Sequence, residues 1–202
     1  MHPNPVFRHV AHASSVAFVR NRSFGILTVA GPNEPLASHI PFILSADEGL
    51  VEFHLVRNSP MALAIADGVP ARLIVEGPEG YVSPDWYGAE DQVPTWNYVA
   101  VHLVGEARVV SEAGFRNLLD RLSAHFEARL APKKPWTSDK MSEGVMSRMM
   151  RGIVPCRMNV SSLESTWKLG QNKSAEARDG AALGLESNGN ATLAALMRNP
   201  PV

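Results

Sequence analysis

Residues 23–56 read SFGILTVAGPNEPLASHIPFILSADEGLVEFHLV. Three runs within this stretch have strand character: Ser23–Val29, Ala37–Leu44 and Leu50–Val56. In the third, Val51, Phe53 and Leu55 fall on one face and Glu52 and His54 on the other, the two-residue period of a half-buried strand. Gly31-Pro32-Asn33-Glu34-Pro35 marks a turn between the first two. Runs this close together, joined by short turns, predict antiparallel pairing rather than the crossover helices of a parallel sheet. Pro41 lies inside the second run and has no N–H to give a ladder, which predicts an edge or a bulge there.

The pattern continues on both sides. Val10, Ala13, Val16 and Ala17 predict a short helix over residues 9–20. Ser59 is a good N-cap, Pro60 suits a first helical position, and Gly68 can close the helix between them in the left-handed conformation. Ala71–Glu76 and Gly80–Ser83 read as two strands around the turn Gly77-Pro78-Glu79, and Tyr98–Val110 as a long strand. Phe115, Leu118, Leu119, Leu122 and Phe126 form one helical stripe, and a second helix is expected over Ser138–Met150. Arg157–Leu163 returns as a strand, and the tail from 174 carries a helix near Ala191–Met197. The order is α+β, and six or so short antiparallel strands in a small domain favour a barrel or a sandwich.

The chain has 202 residues, enough for one domain with a sizeable core. We read residues 1–173 as the main domain and 174–202 as a tail of the same unit. A single cysteine, Cys156, excludes a disulfide scaffold and reads as a small buried residue. The longest run free of formal charge, Gln92 to Gly105, is too short and too polar to span a bilayer. No signal core opens the sequence, so the expected compartment is the cytoplasm. Charged residues make up 19%, below the usual ~25%, which suggests surface covered by oligomerisation. Residues 1–128 carry a net charge of −6 and residues 129–173 a net +6. That basic block suits an anionic ligand, nucleic acid, an acidic neighbouring subunit, or simple solvation.

The motifs of dinucleotide-binding folds, P-loops, zincins and α/β-hydrolases are absent. His9 and His12 lack a third ligand, and no metal is expected. Arg57, Asn58 and Ser59 offer a charged fork and neutral donors beside a helix start: a phosphate cradle, or an ordinary cap with an exposed arginine. Tyr81, Trp86, Tyr87, Trp96 and Tyr98 crowd one segment, which suits stacking on a planar ligand and equally suits a dimer interface. Trp167-Lys168-Leu169-Gly170-Gln171-Asn172-Lys173 packs two cations and two amides after the last strand, a donor set for an anionic or heteroaromatic ligand.

Five blocks in this order resemble the PaiB family of FMN-binding proteins, often described as negative transcriptional regulators. They are Ala37–Phe42, Phe53–Pro60, Gly80–Tyr87, Val93–Tyr98 and Trp167–Lys173. The resemblance implies a homodimer of the antiparallel FMN-binding split-barrel fold with peripheral helices, and FMN at the subunit interface. It implies Ser38, His39 and Ile40 beside the isoalloxazine and Arg57, Asn58 and Ser59 at the phosphate. Thr95, Trp96, Asn97, Gln171, Asn172 and Lys173 would complete the site, from the same or the other subunit. The chain departs from the family pattern at Gly170, where serine is usual, at Ser165, where glycine is usual, and at Cys156, where an aromatic is common.

Two functions follow from the resemblance. One is a regulator that senses FMN or holds it as a structural cofactor, acting on DNA directly or without touching it. The only basic surface for DNA is the 129–173 block, and no helix-turn-helix, zinc finger or basic zipper is present. The other is an FMN-dependent oxidoreductase or flavin reductase using NAD(P)H. In that case the flavin carries the redox chemistry, and no side chain is assigned as catalytic.

Overall fold

A computed structural model describes residues 1–201. Its six strands are β1 (Phe24–Ala30), β2 (Pro35–Leu44), β3 (Leu50–Val56), β4 (Val69–Val82), β5 (Thr95–Val109) and β6 (Ile153–Lys168). They close a barrel in the order β1-β2-β3-β6-β5-β4. The helices are α1 (His12–Arg22), α2 (Pro60–Ala64), α3 (Phe115–Glu127), α4 (Val145–Met150), α5 (Ala175–Ser187) and α6 (Ala191–Arg198). This is the α+β split barrel expected from the sequence.

The chain divides into two compact units. One holds Arg20–Ile74 and Leu103–Leu163; the other holds Met1–Val19, Val75–His102 and the chain from Glu164 onward.

The first unit contains β1 to β3 and stretches of β4, β5 and β6. β1 pairs antiparallel with β2 (Ile26↔His39) and with β4 (Leu27↔Leu73); β3 pairs antiparallel with β6 (Phe53↔Cys156). Alternate side chains point inward, so Leu27, Phe42, Val51, Phe53, Leu73, Leu103, Cys156 and Met158 are completely buried. Burying one such phenylalanine or leucine is worth about 1.5–3 kcal/mol relative to leaving it exposed. Cys156 is the inert core residue its position suggested, its thiol pushed up to about 12 by burial. On the outer face, α3 sets Phe115, Leu118 and Leu122 against Ile43, Met150 and Ile153, as its stripe predicts.

In the second unit, α5 and α6 join Val82, Tyr87, Val99, Trp167 and Leu169 in one core. The Trp167 ring N–H donates to the buried Ser15 hydroxyl at 3.1 Å, tying α1 to the end of β6. The indole of Trp86 rests in a slot on α5, where a methyl group at Gly180 or Gly184 would overlap it or its carbonyl.

Several expectations are corrected. Gly77-Pro78-Glu79 is not a turn, because β4 runs straight through it. Gly77 is there for space: a Cβ would lie 2.8 Å from Val99 Cβ and 2.9 Å from the Phe18 ring. The helix expected over Ser138–Met150 is interrupted. A 3-10 turn at Ser138–Lys140 and α4 flank Gly144, whose φ of 74° lies outside the helical region. α2 ends at Ala64, although Ser59 caps it by accepting from the Ala62 N–H and Gly68 adopts φ 92° beyond it. Helix α5 was not expected at all, and β6 extends five residues past Leu163.

Two predictions follow from the packing. At Gly105 a methyl group would overlap the Asn159 carbonyl oxygen, which is backbone and cannot rotate away. Gly105→Ala is therefore expected to destabilise the fold by about 1–3 kcal/mol, read as a lower urea midpoint with unchanged slope. The second concerns His54, whose Nδ1 is buried with no hydrogen-bond partner. Burial lowers its pKa below the ordinary 6.5. The unfolded chain then binds the proton more readily, so His54 costs no stability above its unfolded pKa and an increasing amount as pH falls from there towards its folded pKa. His54→Leu should flatten that part of the stability-versus-pH curve; an unchanged slope in urea melts between pH 7.5 and 5 would refute this.

Candidate functional site

The barrel unit opens at β2. The ladder between β2 and β3 covers only Phe42–Leu44, whereas β1 follows β2 from Pro35 to Pro41. The Phe42 N–H donates to the Ser23 carbonyl at 3.0 Å, on the β1 side. In an antiparallel ladder successive residues direct their main-chain groups to opposite sides. Pro41 therefore turns its missing N–H towards β3, and that ladder stops there. This is the local edge that Pro41 predicted. Along Pro35–Pro41, the positions facing away from β1 are 35, 37, 39 and 41, so only Ala37 and His39 present an N–H on that side.

Beside this opening lies a cavity of about 450 Å³, lined by Pro32, Asn33, Glu34 and Leu36 of the β1–β2 corner and by Pro60, Leu63 and Ala64 of α2. Its size falls within the range of small-molecule sites, and its walls are largely apolar. Leu36 and Leu63 were not among the expected site residues. The exposure of Leu63 on an otherwise well-packed short helix is a signal only the structure reveals.

Three of the predicted residues lie on β2. Ser38 is half-buried and His39 exposed, with the His39 ring stacked at 6.3 Å on Phe24. Ile40 is 2% exposed, so its side chain belongs to the core, and its main-chain groups, like those of Ser38, face β1 rather than the open edge; of the three, only His39 presents its backbone there.

Arg57, Asn58 and Ser59 immediately precede the cavity-lining Pro60. The Arg57 N–H continues the β3–β6 ladder by donating to the Gly152 carbonyl at 2.9 Å. The Arg57 guanidinium donates from Nε to the Arg151 carbonyl at 2.8 Å and from Nη2 to the Ile153 carbonyl at 2.9 Å. Nη2 also meets Glu112 Oε1 at 2.6 Å. Asn58 is exposed and Ser59 half-buried. With five residues, α2 is too short to contribute a developed dipole, so any anion here must be read by side chains. The donors fit a phosphate: both Nη1 protons, the Asn58 amide, and the Ser59 hydroxyl proton, which the cap leaves unused.

The other predicted residues belong to the second unit. Thr95 Oγ1 accepts from Lys168 Nζ at 2.5 Å, and Lys173 Nζ donates to Gln92 Oε1 at 2.6 Å while sitting 5.0 Å over the Tyr87 ring. Burial lowers the pKa of Lys168. Trp96 is 56% exposed, with Tyr81 edge-on at 6.4 Å. Asn97 is buried and donates to the Met197 sulfur at 3.3 Å. Gln171 staples its own turn, accepting from the Leu169 N–H and donating to the Trp167 carbonyl. Gly170, where the family pattern has serine, stands at φ 81° in that turn. Asn172 is exposed. Gln171 and Asn97 are therefore engaged within the fold, and Thr95, Trp96, Asn172 and Lys173 form the accessible polar and aromatic surface. No group of three metal-ligating side chains, and no helix long and apolar enough to cross a membrane, occurs among the described residues.

Comparison with known proteins bears on this arrangement. Residues 1–162 match the family described as "Putative FMN-binding domain". The protease synthase and sporulation protein PAI 2 of Bacillus subtilis (strain 168) is 28% identical over 172 residues, 84% of this chain and 82% of that protein. Among solved structures, the FAD and heme binding protein from Mycobacterium smegmatis aligns with a TM-score of 0.59 at 17% identity, covering 81% of this chain and 74% of that one. The flavocytochrome Anf3 from Azotobacter vinelandii aligns with 0.57 at 13% identity, covering 83% and 72%. These two likenesses share the fold. The family match covers most of the chain and includes both β2 and the Arg57 junction, so this protein belongs to the PaiB-type family of FMN-binding domains, with FMN as its cofactor.

Proposed function

We propose that the protein is an FMN-containing regulator, in which the flavin phosphate is read by Arg57, Asn58 and Ser59 and the isoalloxazine lies along the open edge of β2 at Ser38–Ile40. The observation that carries this reading is the parting of β2 from β3 beside an apolar cavity, whose lining residue Pro60 directly follows the Arg57–Ser59 junction. His39 offers a main-chain N–H on that edge for a flavin ring atom. Bound FMN would supply redox chemistry, while the chain's own groups bind and orient it. A regulatory role draws support from the relative in Bacillus subtilis, whose name ties it to protease synthesis and sporulation. We further propose a homodimer. Val56, Leu63, Tyr81 and Trp96 are large exposed apolar or aromatic side chains of the kind interfaces bury. Sedimentation at micromolar concentration tests this; a monomer that holds FMN tightly would refute it.

A second reading, an FMN-dependent oxidoreductase using NAD(P)H, is favoured by the same apolar cavity, which has room for a planar substrate. The two separate in one preparation. A regulator shifts target DNA at physiological salt without turning over NAD(P)H; an oxidoreductase does the reverse.

The binding assignment is tested at Arg57. Removing a charge-assisted donor from a partly buried dianion costs about 2–5 kcal/mol, roughly 30-fold to several-thousand-fold in affinity. Arg57→Ala should weaken FMN by such a factor and leave riboflavin, which lacks the phosphate, nearly unchanged. Arg57→Lys should fall between, since a point charge replaces a fork. Because Arg57 also ties down Arg151 and Ile153, Asn58→Ala provides a gentler check: a smaller loss, still confined to FMN. Equal losses of both flavins in a fluorescence titration would show that this junction does not read the phosphate.

A further inference from the structure

We propose that Glu112 competes with the flavin phosphate for the Arg57 guanidinium, and so sets how strongly the protein prefers FMN over riboflavin. This rests on Arg57 reading the phosphate, as proposed above. A guanidinium has five N–H donors. In Arg57, Nε is committed to the Arg151 carbonyl, and the two protons of Nη2 to the Ile153 carbonyl and Glu112 Oε1. Only Nη1 is left, at one end of the fork.

Two-point capture of a phosphate uses protons on two different nitrogens. Nε and one Nη2 proton bond backbone carbonyls on either side of Gly152, at the start of β6, and those acceptors cannot swing aside. Glu112 can. It lies in the loop before α3, its side chain is 62% exposed, and Arg57 is its partner. Releasing Nη2 from Glu112 turns a one-point contact into a two-point one. While Glu112 stays, its negative charge also opposes the incoming dianion, an effect that solvent screens but does not abolish at this exposure. The two carbonyls hold the guanidinium in place whichever anion it meets, so Glu112 is not needed to orient it.

The test compares FMN and riboflavin on Glu112→Gln and Glu112→Asp by fluorescence titration. The glutamine keeps the shape and an acceptor oxygen but removes the charge. FMN should bind about tenfold tighter to Glu112→Gln, with riboflavin unchanged within twofold. The aspartate keeps the charge and should preserve the wild-type FMN-to-riboflavin ratio. A purely structural role for Glu112 would move both ligands together in both variants, and that result overturns the proposal. So does an unchanged or weaker FMN affinity in Glu112→Gln while Arg57→Ala still loses FMN selectively; Arg57 would then keep its role and Glu112 would have none. If Arg57→Ala loses both flavins equally, the phosphate reading fails at its root, and the Glu112 proposal fails with it.

Discussion

An antiparallel strand bonds its two neighbours with alternate residues, and a proline cannot take its turn as donor. Pro41 falls on a residue that faces β3. The ladder between β2 and β3 therefore runs only from Phe42 to Leu44, and the rest of β2 leans on β1 alone. The other features near the candidate site follow from this. The gap admits the cavity between the β1–β2 corner and α2, it exposes the backbone of Ala37 and His39, and it leaves the end of β3 to β6. Inside the barrel Phe42 and Phe53 remain fully buried, so the opening does not reach the core.

At that end of β3, Arg57 has two roles. Its main chain adds one rung to the ladder with β6, and its guanidinium spans the carbonyls on both sides of Gly152. An arginine held by neutral carbonyls keeps its charge uncompensated by them. Glu112 neutralises it from an exposed and movable position. The contrast with Glu52 is instructive. That carboxylate is only 14% exposed and is shared by Arg121 and Arg157, as expected of a structural ion pair.

The strands of the barrel were legible because their alternation is plain. Leu50–Val56 keeps its two-residue period without a break, and the α3 stripe keeps its helical one. The failures occur where glycine and proline serve packing rather than chain reversal. Gly77 and Pro78 look like a turn, yet Gly77 clears room for Phe18 and Val99 within a continuous strand. Gly180 and Gly184 lower the helix propensity of α5, but they are four residues apart and form the groove for Trp86, a tertiary contact no local pattern encodes. In the candidate site, residue types were easier to read than duties. Ser59 spends its acceptor capacity on a cap, Gln171 closes a turn and Ile40 fills the core. The sequence alone does not single out Glu112, because its significance lies in the Arg57 guanidinium it touches.

An unpaired strand edge is ordinarily a hazard, because it can template a strand from another molecule and start aggregation. The open edge of β2 is proofed against this. Of the four positions facing outward, the first and last, Pro35 and Pro41, have no N–H, which leaves two donors at Ala37 and His39. Two rungs cannot hold an added strand in register, but they are enough to meet the polar rim of a small planar molecule. Pro41, which ends the ladder with β3, and Pro35 at the other end therefore leave this edge too few donors to template a peptide strand.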